Sequence, residues 1–246
     1  MTSNSREFSD NLVKNFKELF FTPEIEKRKR EKTINSDFEL LAGQVIFFPN
    51  GTQPLVRLNN EVSANAKLKD VQIENGEKRE IIDKITLNEK EFENCGHATF
   101  IFLNDKLFHC SFDFHRNKAI IKNHLDSAKE FYKTAEYASK ENLLNAFIDN
   151  AFSSMELLAK SELLLEPMSG LDKKANHNRI KSEYNKRAKN ISDEFEKDKR
   201  IVLNKLSELR NKARYLKGDV SLDFEKDEIM KTIEKTIDRI ENITEY

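Results

Sequence analysis

Residues that interrupt helices are spread unevenly along this chain of 246 residues, and their distribution constrains its architecture more than any other feature. Most of them precede residue 118: Pro23, Pro49, Pro54, Gly43, Gly51, Gly76 and Gly96. Frequent turn-forming residues among aromatic and β-branched runs are typical of short strands, whereas long stretches without breakers are typical of helices. We therefore predict an α+β chain, with a β-rich domain over residues 1–116 and a helical domain over residues 117–246.

The β-rich domain is predicted to begin with a short helix and a charged connection. Residues 8–21 place Leu12, Phe16 and Phe20 at helical spacing, which predicts the helix. The sequence EIEKRKREK at 24–32 then favours a hydrated connection, although its basic residues also suit a contact with nucleic acid.

Six strand-like segments follow, which predicts a small antiparallel sandwich or curved sheet. They are 38–48, 55–58, 64–73, 80–87, 98–103 and 106–114. The clearest pair is the hairpin ATFIFL-ND-KLFHCSFDF, whose two turn residues tolerate positive φ. In its second strand Phe108, Cys110, Phe112 and Phe114 alternate with polar residues, so we expect these four side chains to face the core. The domain carries no catalytic motif, and we interpret it as a recognition or scaffolding module.

Two cysteines and two histidines in this half are candidates for a metal site: Cys95, His97, His109 and Cys110. Two Cys and two His can hold zinc. The spacing C-x-H…H-C lacks the gaps of the usual zinc knuckles, so buried side chains without a metal are the better interpretation. The chain also lacks nucleotide-binding and metalloprotease motifs, and we expect no cofactor.

Charge and hydropathy place further limits on partners. The net charge is −1 and the pI is about 6.6, so any contact with RNA must depend on a local basic patch. The N-terminus lacks a signal-peptide pattern, and no stretch reaches the roughly 18 apolar residues that a membrane span needs. We therefore expect a cytoplasmic protein without a membrane partner.

The second half carries five apolar stripes at helical spacing, at about 117–138, 141–165, 172–190, 193–217 and 222–243. The second stripe is apolar on more than one side, which is typical of the central helix of a bundle. Five amphipathic helices with short loops predict an antiparallel bundle.

Several stretches of this half resemble the HEPN family. They are FDFHRNKAIIKNHLDSAKEFYKTAEYA, ENLLNAFIDNAFSSMELLAKSELL, HNRIKSEYNKRA and, most specifically, LSELRNKARYLKG. The resemblance covers roughly residues 115–243 and implies a helical domain that forms a homodimer with a second copy. In active members of the family, an R-x4–6-H motif from each subunit meets in a shared cleft and cleaves RNA without a metal. Histidine can transfer a proton near neutral pH, and arginine can stabilise charge on the attacked phosphate.

The resemblance puts Arg210 at the start of this motif, in RNKARY, and Tyr215 where histidine is expected. No histidine occurs after His177, and a tyrosine of ordinary pKa, about 10, is a poor base at neutral pH. Tyr215 can still donate a hydrogen bond or act as an acid beside cations. His177 can replace the missing base if the third helix faces the cleft.

Each of these candidates also has a purely structural interpretation. Arg210 can pair with an acid such as Glu208, Tyr215 can pack at a helix end, and His177 can be a core histidine on its apolar stripe. Basic residues nearby are candidates for RNA contacts, or for an ordinary solvated helix face. They are Lys212, Arg214 and Lys217.

Two functions remain open. The first is a non-catalytic dimeric binding or adaptor protein in a prokaryotic defence or toxin–antitoxin setting, associated with RNA or, through the β-rich domain, with a protein partner. The alternative is a metal-independent endoribonuclease that uses Arg210 with Tyr215 or His177. The absence of the motif histidine favours the first.

Overall fold

The computed structural model describes residues 3–72, 78–104, 107–166, 177–188, 193–215, 221–222 and 225–244. The chain divides into two compact units, Met1–Phe114 and His115–Tyr246. The first contains antiparallel β-structure and the second is helical, so the predicted α+β class is confirmed.

A helical segment opens the first unit and extends further than predicted. It consists of α1 (Ser3–Phe16), a π-helical turn (Lys17–Phe21) and α2 (Thr22–Arg30). The prediction of a hydrated connection at 24–32 is therefore wrong. Pro23 lies at the start of α2, directly after the π-helical turn, and has no backbone N–H to donate. Arg28 pairs with Glu24 one turn earlier at 2.7 Å and with Glu61 at 2.6 Å, so the basic stretch stabilises a helix.

Six strands follow, and every predicted strand segment is confirmed. They are β1 (Ala42–Phe47), β2 (Leu55–Leu58), β3 (Asn65–Gln72), β4 (Lys78–Thr86), β5 (Gly96–Asn104) and β6 (Leu107–Asp113). One sheet has the order β2-β1-β5-β6, and β3 and β4 form a separate two-stranded sheet; both are antiparallel. Of the two predicted turn residues, Asn104 is the last residue of β5 and pairs with Leu107, while Asp105 lies outside the described ranges.

One face of the four-stranded sheet is aromatic and packs on the helical segment. Phe100 is buried there, with its ring centroid 5.0 Å from that of Phe16. Cys110 packs against the same cluster. Phe112 and Phe114 lie on this same face, as predicted, and the Phe114 ring centroid is 5.7 Å from that of Phe47, but the two residues remain 47% and 45% exposed. They lie at the end of β6, which is an edge strand of the sheet among the described residues.

The opposite face carries a polar row, which we define as Arg57, Gln44, Thr99 and Ser111. These residues are directly opposed across β2, β1, β5 and β6. Gln44 Nε2 donates to Thr99 Oγ1 at 3.1 Å, and Arg57 Nη1 donates to Gln44 Oε1 at 3.4 Å. The sheet therefore has two chemically different faces, which fixes the register of its strands.

The cysteines and histidines considered for a metal site are dispersed. His97 is buried on β5, where its Nδ1 lies 3.1 Å from Thr99 Oγ1. His109 and Cys110 are adjacent on β6 and point to opposite faces. Burial raises the pKa of the Cys110 thiol to about 12. Among the described residues, no group of three or more His, Cys, Asp and Glu side chains is placed to hold a metal ion.

The second unit contains α3 (Lys118–Lys140), α4 (Leu144–Leu164), α5 (His177–Ala188), α6 (Glu194–Tyr215) and α7 (Lys226–Thr244) among its described residues. These helices correspond to the five predicted stripes. The helix count of this region is nevertheless six rather than five. In the described part of the chain, no helix is both long and apolar enough to cross a membrane.

Helix α4 is the centre of the second unit, as its apolar pattern predicts. It packs against α3, α5, α6 and α7. Its buried side chains include Phe147, Ile148, Met155 and Leu158. Some of its polar side chains contact other helices: Ser154 donates to the carbonyl of Ala128 in α3 at 2.8 Å, and Glu162 pairs with Lys199 of α6 at 2.6 Å.

Candidate functional site

Three residues of α4 present one stripe to α5 and α6: Asp149, Phe152 and Glu156. Their spacing of three and four residues places them on the same helix face. Each contacts a residue singled out from the sequence. Asp149 and Phe152 contact Arg210 of α6, and Glu156 contacts His177 of α5.

His177 is the first residue of α5, and its ring is held from two sides. Nδ1 hydrogen-bonds to Oε1 of Glu156, and the ring centroid lies 6.0 Å from that of Phe152. A carboxylate only accepts hydrogen bonds, so this contact assigns the hydrogen of a neutral imidazole to Nδ1. The lone pair on Nε2 then faces Nη1 of Arg210, at 3.5 Å.

Arg210 is held mainly by Asp149. Its Nε donates to Asp149 Oδ1 at 3.2 Å, and Nε of Arg214, one turn further along α6, forms an ion pair with the same oxygen at 2.8 Å. The guanidinium also lies over the Phe152 ring, 4.7 Å from its centroid. The Arg210 side chain is 15% exposed. One end of its guanidinium is thus fixed, while Nη1 points towards His177.

These contacts line a cleft of about 290 Å³. Its walls are formed by Phe152, His177, Asn178, Ser207, Arg210 and Asn211. The cleft combines a group that can accept a proton, a fixed cation and neutral hydrogen-bonding side chains. This combination suits a phosphodiester, which carries negative charge and is adjacent to hydroxyl groups.

Two residues predicted separately from the sequence, Arg210 and His177, are therefore in contact. The interpretation of His177 as a core histidine is wrong, because its side chain is 59% exposed at the start of its helix. Arg210 pairs with an acid, as its structural interpretation proposed, and that acid is Asp149 of α4.

The other predicted site residues are dispersed. Tyr215 is 64% exposed and is not among the residues that line the cleft. Lys212 is exposed on α6, and Arg214 is partly exposed beside Asp149. Lys217 lies outside the described residues.

Sequence reasoning missed Asp149, Phe152 and Glu156. The two acids stand out only as charged residues on a predominantly apolar helix, and that pattern does not indicate their partners. Comparison of the chain with protein-family models, with curated proteins and with solved structures gives no match. The site is therefore interpreted from its own geometry.

Proposed function

We propose that the helical unit is a metal-independent endoribonuclease centre built on His177 and Arg210. The observation that carries this proposal is the 3.5 Å contact between Arg210 Nη1 and His177 Nε2, with Glu156 on the other ring nitrogen. It supplies the imidazole that the RNKARY motif lacks. The HEPN resemblance supplies RNA as the substrate class and a homodimer as the assembled form.

In the proposed reaction, Nε2 of His177 takes the proton of a ribose 2′-hydroxyl. The 2′-oxygen attacks the adjacent phosphorus, the bond to the 5′-oxygen breaks, and the imidazolium returns its proton to the leaving oxygen. The products are a 2′,3′-cyclic phosphate and a 5′-hydroxyl. Glu156 holds the tautomer in which Nε2 carries no hydrogen and stabilises the imidazolium, while Arg210 neutralises the charge on the attacked phosphate.

Cleavage of a mixed RNA pool in EDTA tests this proposal. We expect wild-type protein to cleave, and His177→Ala and Arg210→Ala each to lose about 10²-fold or more in rate. Tyr215→Phe and the distant Lys231→Ala are expected to cleave like wild type. Analysis of product ends should find cyclic phosphate. Unchanged cleavage by His177→Ala would refute the assignment of the base.

A non-catalytic binding or adaptor protein is the second candidate, and one observation favours it. Arg210 shares Asp149 with Arg214 and lies over Phe152, so these contacts alone give it a structural role. On this proposal, wild-type protein leaves the RNA pool intact, and Arg210→Ala lowers stability without changing RNA affinity. Binding then belongs to another surface, such as the β-rich unit.

A further inference from the structure

The connection between β1 and β2 contains the sequence FPNGT at 48–52, in which an asparagine directly precedes a glycine. The side-chain amide of an asparagine is open to attack by the backbone nitrogen of the next residue, and glycine obstructs this attack least because it has no Cβ. We propose that Asn50 is a site of spontaneous covalent modification, at which Gly51 displaces ammonia and the amide becomes a carboxylate. The modification does not depend on the proposed cleavage of RNA.

A tight turn holds the two reacting residues. Gly51 N donates to the carbonyl oxygen of Phe48 at 3.2 Å, which closes a four-residue turn with Pro49 and Asn50 at its centre. The φ of Gly51 is +73°, a left-handed conformation that glycine adopts without steric cost. Apart from its chain neighbours, no atom of the described residues lies within 4 Å of the position that a Cβ of Gly51 would occupy. The space beside the attacking residue is therefore open.

The Asn50 side chain is folded forward along the chain. Its Oδ1 accepts from the backbone N–H of Thr52 at 3.1 Å and from the Thr52 hydroxyl at 2.9 Å. To reach a donor two residues ahead, the side chain must lie alongside the peptide bond between Asn50 and Gly51. This orientation turns Cγ of Asn50 towards the Gly51 nitrogen, as closure of a five-membered ring requires.

The two Thr52 contacts also favour the chemistry. Attack on Cγ places negative charge on Oδ1 of Asn50, and both donors already point at that oxygen. Residues 50–52 are exposed, so hydroxide can reach the Gly51 N–H and ammonia can leave. The hydrogen bond from Gly51 N to Phe48 opposes the reaction, because this N–H must first lose its proton. We therefore expect a slow modification that becomes faster as the pH rises.

The reaction consumes only water. Gly51 N gives its proton to hydroxide, and a bond forms between this nitrogen and Cγ of Asn50. The bond from Cγ to the amide nitrogen breaks as that nitrogen takes a proton from water and leaves as ammonia, which gives a cyclic imide. Water then opens the imide at either of its carbonyl carbons and leaves an aspartate or an isoaspartate at position 50. Both products add negative charge to the β1–β2 connection, and isoaspartate also lengthens its backbone.

Peptide mapping of the full-length protein tests the site. Wild-type protein is incubated in ¹⁸O-enriched water at pH 8 and 37 °C, and the tryptic peptide 33–57 is fragmented at intervals. We expect ¹⁸O-labelled aspartate and isoaspartate at position 50. Asn35, which precedes Ser36 in the same peptide, is the internal reference and should react about tenfold more slowly, because Ser36 has a Cβ. An intact Asn50, or a rate no higher than that of Asn35, would refute the site.

Variants of the neighbouring residues test how the turn acts. Thr52→Val removes the hydroxyl donor but keeps the backbone donor, so it should slow the modification about threefold. Gly51→Ala crowds the attacking nitrogen and should slow it about tenfold or more. Gln53→Ala, an exposed change in the same connection, should retain the wild-type rate. Melting temperatures verify that each variant is folded. An unchanged rate in Thr52→Val would overturn the role of its hydroxyl, and an unchanged rate in Gly51→Ala would overturn the attack by this nitrogen.

Discussion

Lys199 and Glu162 form an ion pair in the interior of the helical unit: Nζ of Lys199 lies 2.6 Å from Oε1 of Glu162, and neither side chain is more than 2% exposed. Lys199 also lies 2.8 Å from Oε1 of Glu196, and Tyr184 donates to the other oxygen of Glu162. Burial alone raises the pKa of Glu196, but the hydrogen bond and charge of Lys199, with the charge of Arg239, hold it below its ordinary value. The network joins α4, α5, α6 and α7.

Removal of Lys199 should therefore be strongly destabilising. In Lys199→Ala, Glu162 loses its closest cation and Glu196 keeps only its arginine neighbours. We expect a loss of about 3–5 kcal/mol in the free energy of unfolding. Urea unfolding at pH 7 measures it. Lys197→Ala, which removes an exposed pair with Glu194, should change stability by less than about 0.5 kcal/mol. A similar small change for Lys199→Ala would contradict the importance of the network.

His124 of α3 should make the protein less stable in acid. Burial, with the nearby charge of Lys160, lowers its pKa to about 4, and its Nδ1 is buried with no hydrogen-bond partner among the described residues. The unfolded histidine titrates near 6.5, so between these values the unfolded state binds more protons and stability falls as pH falls. Because solvent screens part of the ring, we expect a loss of about 1–2 kcal/mol.

Comparison with His124→Leu isolates this contribution. Urea unfolding at pH 7 and at pH 4 should give a smaller stability loss for the variant than for wild type. His109 and His115, whose pKa values burial also lowers, remain in both proteins and cancel in the comparison. Parallel losses in the two proteins would show that His124 is protonated without cost in the folded state.

Gly43 of β1 should not tolerate a side chain. A Cβ atom there would lie 2.6 Å from two ring carbons of Phe21, which is 1% exposed. Since the ring cannot move into solvent, Gly43→Ala should cost about 1–3 kcal/mol. Thermal unfolding of Gly43→Ala, Phe21→Leu and the double variant tests the cause. If ring overlap is responsible, the double variant is less destabilised than the sum of the single changes.

Glu156→Gln tests the assigned tautomer of His177. The glutamine amide can donate to Nδ1, which favours the hydrogen on Nε2 and removes the proposed base. We expect kcat for RNA cleavage to fall by about 10²-fold or more, with KM nearly unchanged. Ser153→Ala, an α4 residue that donates to the backbone of its own helix, is the matched control. A change in KM alone would indicate that Glu156 acts on binding.

Local periodicity was sufficient to predict the strands and the five described helices of the second unit. It failed at α2, because a highly charged stretch has the composition of a solvated connection. What stabilises that helix is partly remote in sequence: Arg28 reaches Glu61, which is 33 residues away.

The same limit applies to the candidate site. Arg210 and His177 were singled out individually, one by a motif and the other as the last histidine of the chain. Their contact depends on how α5 and α6 pack, and the residues that hold them lie on a third helix. Asp149 and Arg210 are separated by 61 residues. Side-chain partners at such separations depend on tertiary packing, and the spacing of apolar residues along one helix does not show which helices pack together.

The polar row of the four-stranded sheet bears on folding errors as well as on the native structure. A slip of one residue in any strand pairing would turn Arg57, Gln44 or Thr99 towards the aromatic face, where Phe16 and Phe100 offer no hydrogen bonds. Burying an unpaired polar group costs about 1–3 kcal/mol. Each misaligned strand pairing is thus penalised separately, which favours the native register over its one-residue slips.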